Sequence, residues 1–404
     1  MSVSALTRPR PVYRAADLLA AYLPGSYYFS STRGTLLADG VDAVVGGAPG
    51  NRATAAAAAL AEVAAVGGAA AVGGAAGPVV IGALGFRPEA SATLVVPSVV
   101  RRAGAPVGAP VPDAPARRWS IRPRPEPGCY TDAVRRALAL IDGGELSKVV
   151  LARGLELAAD GPVSVPALLT RLVRADPAAH AFAIDVSAPG DPAPRTLVGA
   201  SPELLVSRRG DQVVANPLAG SLPRCADDAE NRRRVAALLA SEKERAEHAH
   251  TAAGVADVLG RFCVDLDVPA EPSVIGTPTM WHLSTKITGT LAAPAAPTSS
   301  ALGLAEALHP TPAVCGVPPA AARDAIAALE PADRGYYAGL VGWTDTSGDG
   351  EWVVTIRSAE VSERIVRLHA GAGIVSGSDP DRELDETTAK FQTLLRALGE
   401  GTPS

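Results

Sequence analysis

Two short stretches place acidic side chains three residues apart: Glu244 and Glu247 in KERAEH, and Glu383 and Glu386 in RELDE. At helical spacing each pair shares one face. If the two faces converge, the four carboxylates repel strongly unless a hard divalent cation sits among them, and oxygen-only ligation points to Mg²⁺. A solvated acidic face on an ordinary surface helix is the plainer alternative. His248 and His250 are two residues apart, so a helix turns them to different faces, which argues against zinc.

Three further residues have side chains that do proton or anion chemistry. In SKVVLAR, strand alternation puts Lys148, Val150 and Ala152 on one face. If that face is buried, desolvation favours a neutral amine able to act as a general base; otherwise the lysine merely guards a strand edge. Glu203 follows Pro202 at the start of a hairpin with an Arg-Gly-Asp turn, in GASPELLVSRRGDQVV. A partly buried carboxyl there stays protonated and serves as an acid, against the alternative of an ordinary strand-end charge. With Lys148 in one cleft it forms the acid/base couple that substitution on a hydroxylated ring requires. In VVTIRS, Arg357 alternates with Val353 and Thr355. A guanidinium buried there needs an anion, either a substrate carboxylate or a protein acid.

The Gly-rich segment HAGAGIV lets backbone approach a ligand at Gly371 and Gly373. It is not a dinucleotide fingerprint, because Ser376 stands where the third glycine belongs and no βαβ unit surrounds it.

These residues need elements to hold them. TDAVRRALALIDGG predicts a helix capped by Thr131, and SKVVLARGLEL a strand. AFAIDV, TLVGA, ELLVSRRGDQVVANPLAG and EWVVTIRSAEVSERIVRLHAGAGI alternate around short turns, which favours antiparallel pairing. One helix is expected from about Asp227 to Gly260, carrying the first acidic pair. Another is expected from Asp379-Pro380 onward, carrying the second. The expected fold class is α+β, with large antiparallel sheets and helices outside. Residues 1–115 form an N-terminal α/β portion with a Pro-rich connection, integral to the fold, and residues 116–400 the core bearing the chemistry.

Among 404 residues with a net charge of −5, no basic aromatic stripe suggests a nucleic-acid partner. The four cysteines are widely spaced without a CxxC pair, which fits a reducing cytoplasm better than a disulfide scaffold. The N-terminal stretch has no signal-like cleavage arrangement. The uncharged run from Val63 to Phe86 is Ala/Gly-rich and broken by Pro78, so it reads as helix, turn and the strand PVVIGALGF, not a membrane span. No internal repeat is visible. The ligand implied is small.

From about Thr131 to Leu398 the sequence resembles the chorismate-binding enzymes, which include isochorismate, salicylate and anthranilate synthases. The resemblance rests on the ordered segments SKVVLAR, GASPELLVSRRG, NPLAGSLPR, KERAEH, HLSTKITG, HPTPAVCG, GYYAGLVGW, GDGEWVVTIRSAE, and AGAGIV with SDPDRELDETTAK. It implies a siderophore-type isochorismate synthase: Lys148 the base toward water, where ammonia-using members carry glutamine, and Glu203 the acid toward the leaving hydroxyl. It implies Mg²⁺ held by Glu247 and Glu383, with Glu244 and Glu386 close by or acting through water. Tyr337, Arg357, Gly371 and Lys390 match positions that hold substrate carboxylates, Gly220, Ser221 and His282 match pocket positions, and Ala313 and Val314 shape the wall at the reacting edge. Salicylate synthase is the alternative, sharing the lysine but matching less well in HPTPAVCG and GLVGWTDTSGDGEW. No glutamine amidotransferase segment is present, although a separate subunit can supply ammonia. The family further implies a monomer in transient contact with a downstream isochorismate-using enzyme, serving siderophore, salicylate or menaquinone synthesis. Glu244 departs from the Asp that many isochorismate synthases carry, and Leu384 from a frequent Trp.

Overall fold

The computed structural model describes residues 13–66, 70–71, 77–87, 89, 92–114 and 117–400. Their strands form two large, almost wholly antiparallel sheets and a small third one, the α+β arrangement expected from the alternating segments. The larger sheet runs through Lys148–Ala159, Ile365–Ile374, Ser358–Ser362, Thr196–Ser201 and His180–Asp185 to Tyr27–Ser31 and Gly34–Asp39. The second contains Leu204–Arg209, Gly350–Val354, Leu340–Asp345 and Val79–Leu84. N-terminal strands are thus hydrogen-bonded inside both sheets, Tyr27–Ser31 to His180–Asp185 and Val79–Leu84 to Leu340–Asp345. The expected boundary between residues 115 and 116 lies outside the described residues.

The inner faces pack Phe29, Phe182 and Leu197 of one sheet with Ile81, Val341 and Val353 of the other. Helices cover the outer faces: Arg52–Ala65 and Ala301–Leu308 lie over the second sheet, Val165–Ala175 and Pro380–Leu398 over the first. Burying one face of each sheet on the other and the opposite face on helices accounts for strands such as Val79–Leu84 being buried throughout. The Val63–Phe86 run holds the expected end of the Arg52–Ala65 helix and that strand, but Ala70–Ala71 between them forms a short strand parallel to Val99–Val100 that was not expected; residues 67–69 and 72–76 lie outside the description. Among the described residues no helix is long and apolar enough to cross a membrane.

Three local expectations are corrected. The helix expected over 227–260 is two helices, Asp228–Ala240 and Glu242–Leu259. Ser241 between them is extended, and its hydroxyl accepts the Glu244 N–H at 3.3 Å, capping the second helix and giving it a new direction. The helix expected to start at Thr131 begins at Pro127, whose missing N–H costs nothing in a first turn. Thr131 lies inside it, its hydroxyl donating to the Gly128 carbonyl at 3.0 Å.

The strand expected to carry Arg357 stops at Val354. At 355–357 the chain leaves the second sheet for the first, and Arg357 takes φ 51° to make the turn. This left-handed conformation costs a non-glycine residue about 1–2 kcal/mol. It is locked by Thr355 N–H to Gly339 O at 2.8 Å and Ala200 N–H to Arg357 O at 3.1 Å.

Candidate active site

A cleft opens where the chain crosses between the sheets. Glu203, Gly220, Ser221, Glu247, His282, Ala313, Val314, Tyr337, Arg357, Gly371 and Lys390 line it, drawn from across the sequence. Val150, Pro202, Ala338, Ile356 and Gly373 also line it and were given no role from the sequence beyond the close approach expected at Gly373.

Lys148 begins its strand with its side chain 0 % exposed, beneath the cleft floor. Neighbouring Val149 and Leu151 turn the other way into the apolar core. The amine donates to Thr251 Oγ1 at 3.2 Å and lies 3.2 Å from Glu247 Oε1. Thr251 in turn donates to the Glu247 carbonyl at 3.3 Å, the spacing of one helical turn. Thr251 escaped the sequence reading, although its i+4 relation to Glu247 puts both on one helix face. A Cβ added at Gly373 would fall 2.0 Å from Glu247 Oε1 and 3.2 Å from Lys148 Cε, so a larger residue there must push the Glu247 carboxylate from its present place beside Lys148.

Glu203 is 3 % exposed. Burial raises its carboxyl to about 7, against the lowering effects of the Leu218 N–H and the charges of Lys148, Arg357 and Lys390. Opposite, Arg357 Nη2 donates to His282 Nε2 at 3.4 Å, while its buried Nε has no hydrogen-bond partner among the described residues. Burial first, and then Arg357 and Lys390, hold His282 well below its usual range. It is therefore a neutral acceptor. Burial pushes the Tyr337 hydroxyl up to about 12, so it remains a donor. Lys390 Nζ donates to the Gly371 carbonyl at 2.8 Å and pairs with Glu386 at 2.6 Å. The strand-borne glycine and the helix-borne lysine are thereby tied together.

Ser221 receives both acidic helices. Its N–H donates to Glu244 Oε2 at 3.1 Å and its hydroxyl to Glu386 Oε1 at 3.2 Å. Gly220 beside it adopts φ 73° at an irregularity in strand pairing, with Glu244 side-chain and backbone atoms 3.2 Å from where a Cβ would stand. Lys243 Nζ spans Glu383 at 2.8 Å and Glu244 at 3.4 Å. This lysine, inside the KERAEH segment, was assigned no role from the sequence.

Burial first, then Glu247 and Glu386, raise Glu244 to about 7 despite Lys243. Burial and Glu386 raise Glu383, whereas burial, the largest influence on Glu386, is outweighed by Lys390, Lys243 and the Ser221 hydroxyl together, which hold it low. Among the described residues, no three His, Cys, Asp or Glu side chains are gathered closely enough to hold a metal ion. The acidic wall is instead partitioned among Lys148, Lys243 and Lys390. Its all-oxygen donors and mutual repulsion nevertheless suit a hard dication. A dication and a dicarboxylate entering together leave the cleft's charge balance unchanged.

The family described as "chorismate binding enzyme" matches residues 108–399. The chain belongs to the chorismate-binding enzyme family. Within it, isochorismate synthase DhbC from Bacillus subtilis (strain 168) is 48 % identical over 391 residues, 96 % of each chain. Isochorismate synthase EntC from Escherichia coli (strain K12) is 39 % identical over 331 residues, covering 80 % of this chain and 81 % of EntC. The crystal structure of Bacillus anthracis DhbC matches with a TM-score of 0.89 at 41 % identity, over 96 % of this chain and 100 % of that one. The structure of MenF, the menaquinone-specific isochorismate synthase from Escherichia coli, matches with a TM-score of 0.79 at 25 % identity, over 96 % and 92 %. Most of the chain, N-terminal strands included, therefore has counterparts among chorismate-binding enzymes.

Proposed function

We infer that this chain is an isochorismate synthase, an isomerase that converts chorismate to isochorismate by adding water at C2 and losing the hydroxyl at C4. One observation carries the chemical assignment. A fully buried amine, Lys148, lies beneath the cleft that Glu203 lines, near enough to act on the Glu203 carboxyl, which burial raises to about 7.

In this reading Lys148 takes a proton from water while the water oxygen forms a bond to C2. The ring double bonds shift, and Glu203 gives its proton to the departing C4 oxygen. Tyr337 and Arg357 donate to substrate carboxylate oxygens, with the unpartnered Arg357 Nε available for a second bond. The neutral His282 leaves the guanidinium charge to the substrate. Lys390 adds a cation, the Gly371 backbone allows close approach, and Gly220, Ser221, Ala313 and Val314 bound the ring. Glu247 and Glu383, with Glu244 and Glu386 close by or through water, would hold Mg²⁺, which supplies positive charge for the ring carboxylate and draws electrons from the ring. The four unpaired cysteines fit a reducing cytoplasm.

Chromatography of the products from chorismate and Mg²⁺, with and without chelator, tests the assignment. Isochorismate without pyruvate is expected; stoichiometric salicylate and pyruvate would make the chain a salicylate synthase instead.

A further inference from the structure

The Lys148–Ala159 strand has an incomplete edge. Gly316–Val317 pairs with its first two residues, and Trp119–Arg124 pairs with residues 154–159. Between these neighbours, the Val150 carbonyl and Ala152 N–H face an opening that no strand among the described residues fills. A buried ion pair fills it. Arg334 Nη2 donates to the Val150 carbonyl at 2.8 Å, and Glu330 Oε1 accepts the Ala152 N–H at 2.8 Å. The partners bind each other through Arg334 Nε to Glu330 Oε2 at 2.8 Å and Nη2 to Oε1 at 2.5 Å. Side chains here do the work of a missing strand.

Arg334 holds two other parts of the cleft, one through its guanidinium and one through its backbone. Its Nη1 donates to the Val314 carbonyl at 2.7 Å, fixing the wall at the reacting edge. The Arg334 carbonyl accepts the Tyr337 N–H at 2.9 Å, holding the turn that presents the tyrosine. The guanidinium also lies 4.3 Å over the Phe86 ring, so its only freedom is to break several bonds at once.

We propose that Arg334, oriented by Glu330, is a positioning residue for this reaction: it sets the spacing between the Lys148 strand and the Ala313–Val314 wall across which the ring must lie. Lysine cannot substitute, since a point charge cannot serve two carbonyls and a carboxylate in fixed directions. A wall displaced by about 1 Å costs on the order of a hundredfold in rate. It also loosens the alignment that favours hydroxyl displacement over loss of the enolpyruvyl group.

The proposal rests on assigning this cleft to chorismate. Wild-type protein that forms no isochorismate would remove that assignment itself. With wild-type turnover established, Arg334→Lys is compared with it for kcat, KM for chorismate, pyruvate released per isochorismate formed, and thermal unfolding. The expected result is a folded protein with kcat lower by about 10- to 100-fold, KM changed no more than about threefold, and a higher pyruvate ratio. A lower Tm with kcat, KM and pyruvate ratio per folded molecule all unchanged would overturn the proposal. If Arg334→Lys does not fold, Glu330→Gln is read by the same criteria, as it keeps an oxygen for Ala152 but gives up the charge. Failure of both to fold would assign the pair to stability alone and overturn the proposal as well.

Discussion

Thr251 Oγ1 accepts a hydrogen bond from Lys148 Nζ at 3.2 Å while donating its own proton to the Glu247 carbonyl. The hydroxyl can therefore receive from the amine but has no second proton to offer it. One Lys148 N–H is committed to Thr251, which orients the remaining valences. Thr251→Val should lower kcat about tenfold, the loss of roughly one hydrogen bond's worth of alignment, with little change in KM. Thr251→Ser should recover most of it. Steady-state kinetics on the three proteins checks this, and equal loss in both variants would refute the orienting role.

Removing the base itself is a harsher change. Lys148→Ala should cut kcat by about a hundred- to ten-thousand-fold, the range for loss of a general base, while titration calorimetry still detects chorismate binding. Near-normal turnover would exclude Lys148 as the base.

The Glu203 carboxyl, raised to about 7 by burial, makes activity fall on the alkaline side. The acid form is needed, so kcat/KM should decline as pH rises through about 7, and Glu203→Gln should abolish that limb with most of the rate. Stability follows the same group. Its folded value lies above its ordinary 4.5, so the folded state keeps a proton that the unfolded state has lost, and stability falls as pH rises from about 4.5 to about 7. Glu203→Gln should make this part of a pH series of unfolding curves less steep, the remaining slope coming from Glu244, which burial raises to the same range.

Gly373→Ala places a methyl group 2.0 Å from Glu247 Oε1. The carboxylate end of a flexible side chain can move aside, so the variant should fold with a Tm close to wild type. It should need a several-fold higher Mg²⁺ concentration for half-maximal activity and show a smaller Mg²⁺-induced rise in Tm. Wild-type Mg²⁺ dependence by both readouts would mean that Glu247 is not a metal ligand.

Chelation should abolish turnover in the wild type, and restored Mg²⁺ should recover it. Because Lys243 pairs with Glu383 and Glu244, the chelated protein should remain folded by circular dichroism. Turnover undiminished by chelator would exclude the metal from the reaction.

Residue type and local spacing marked candidate groups, each with a plain structural alternative, and the family resemblance gave those groups roles. Period-two alternation set Lys148 beside Val150 and Ala152, three-residue spacing paired each set of glutamates, and the ordered motifs carried the family. What one-dimensional reading could not supply was direction. Ser241 breaks a run of good helix formers because its side chain caps the next helix, which carries Glu247 into the cleft and Thr251 to Lys148 beneath it. Arg357 leaves its strand because the chain must change sheets there. Glu330 and Arg334 look like an ordinary i,i+4 surface pair until the open edge beside Lys148 buries them. A sequence fixes which groups are available and their periodicity, but burial, bond partners and charge state arise from segments far apart in the chain. The Glu203 carboxyl acquires its chemistry only when folding removes water from around it.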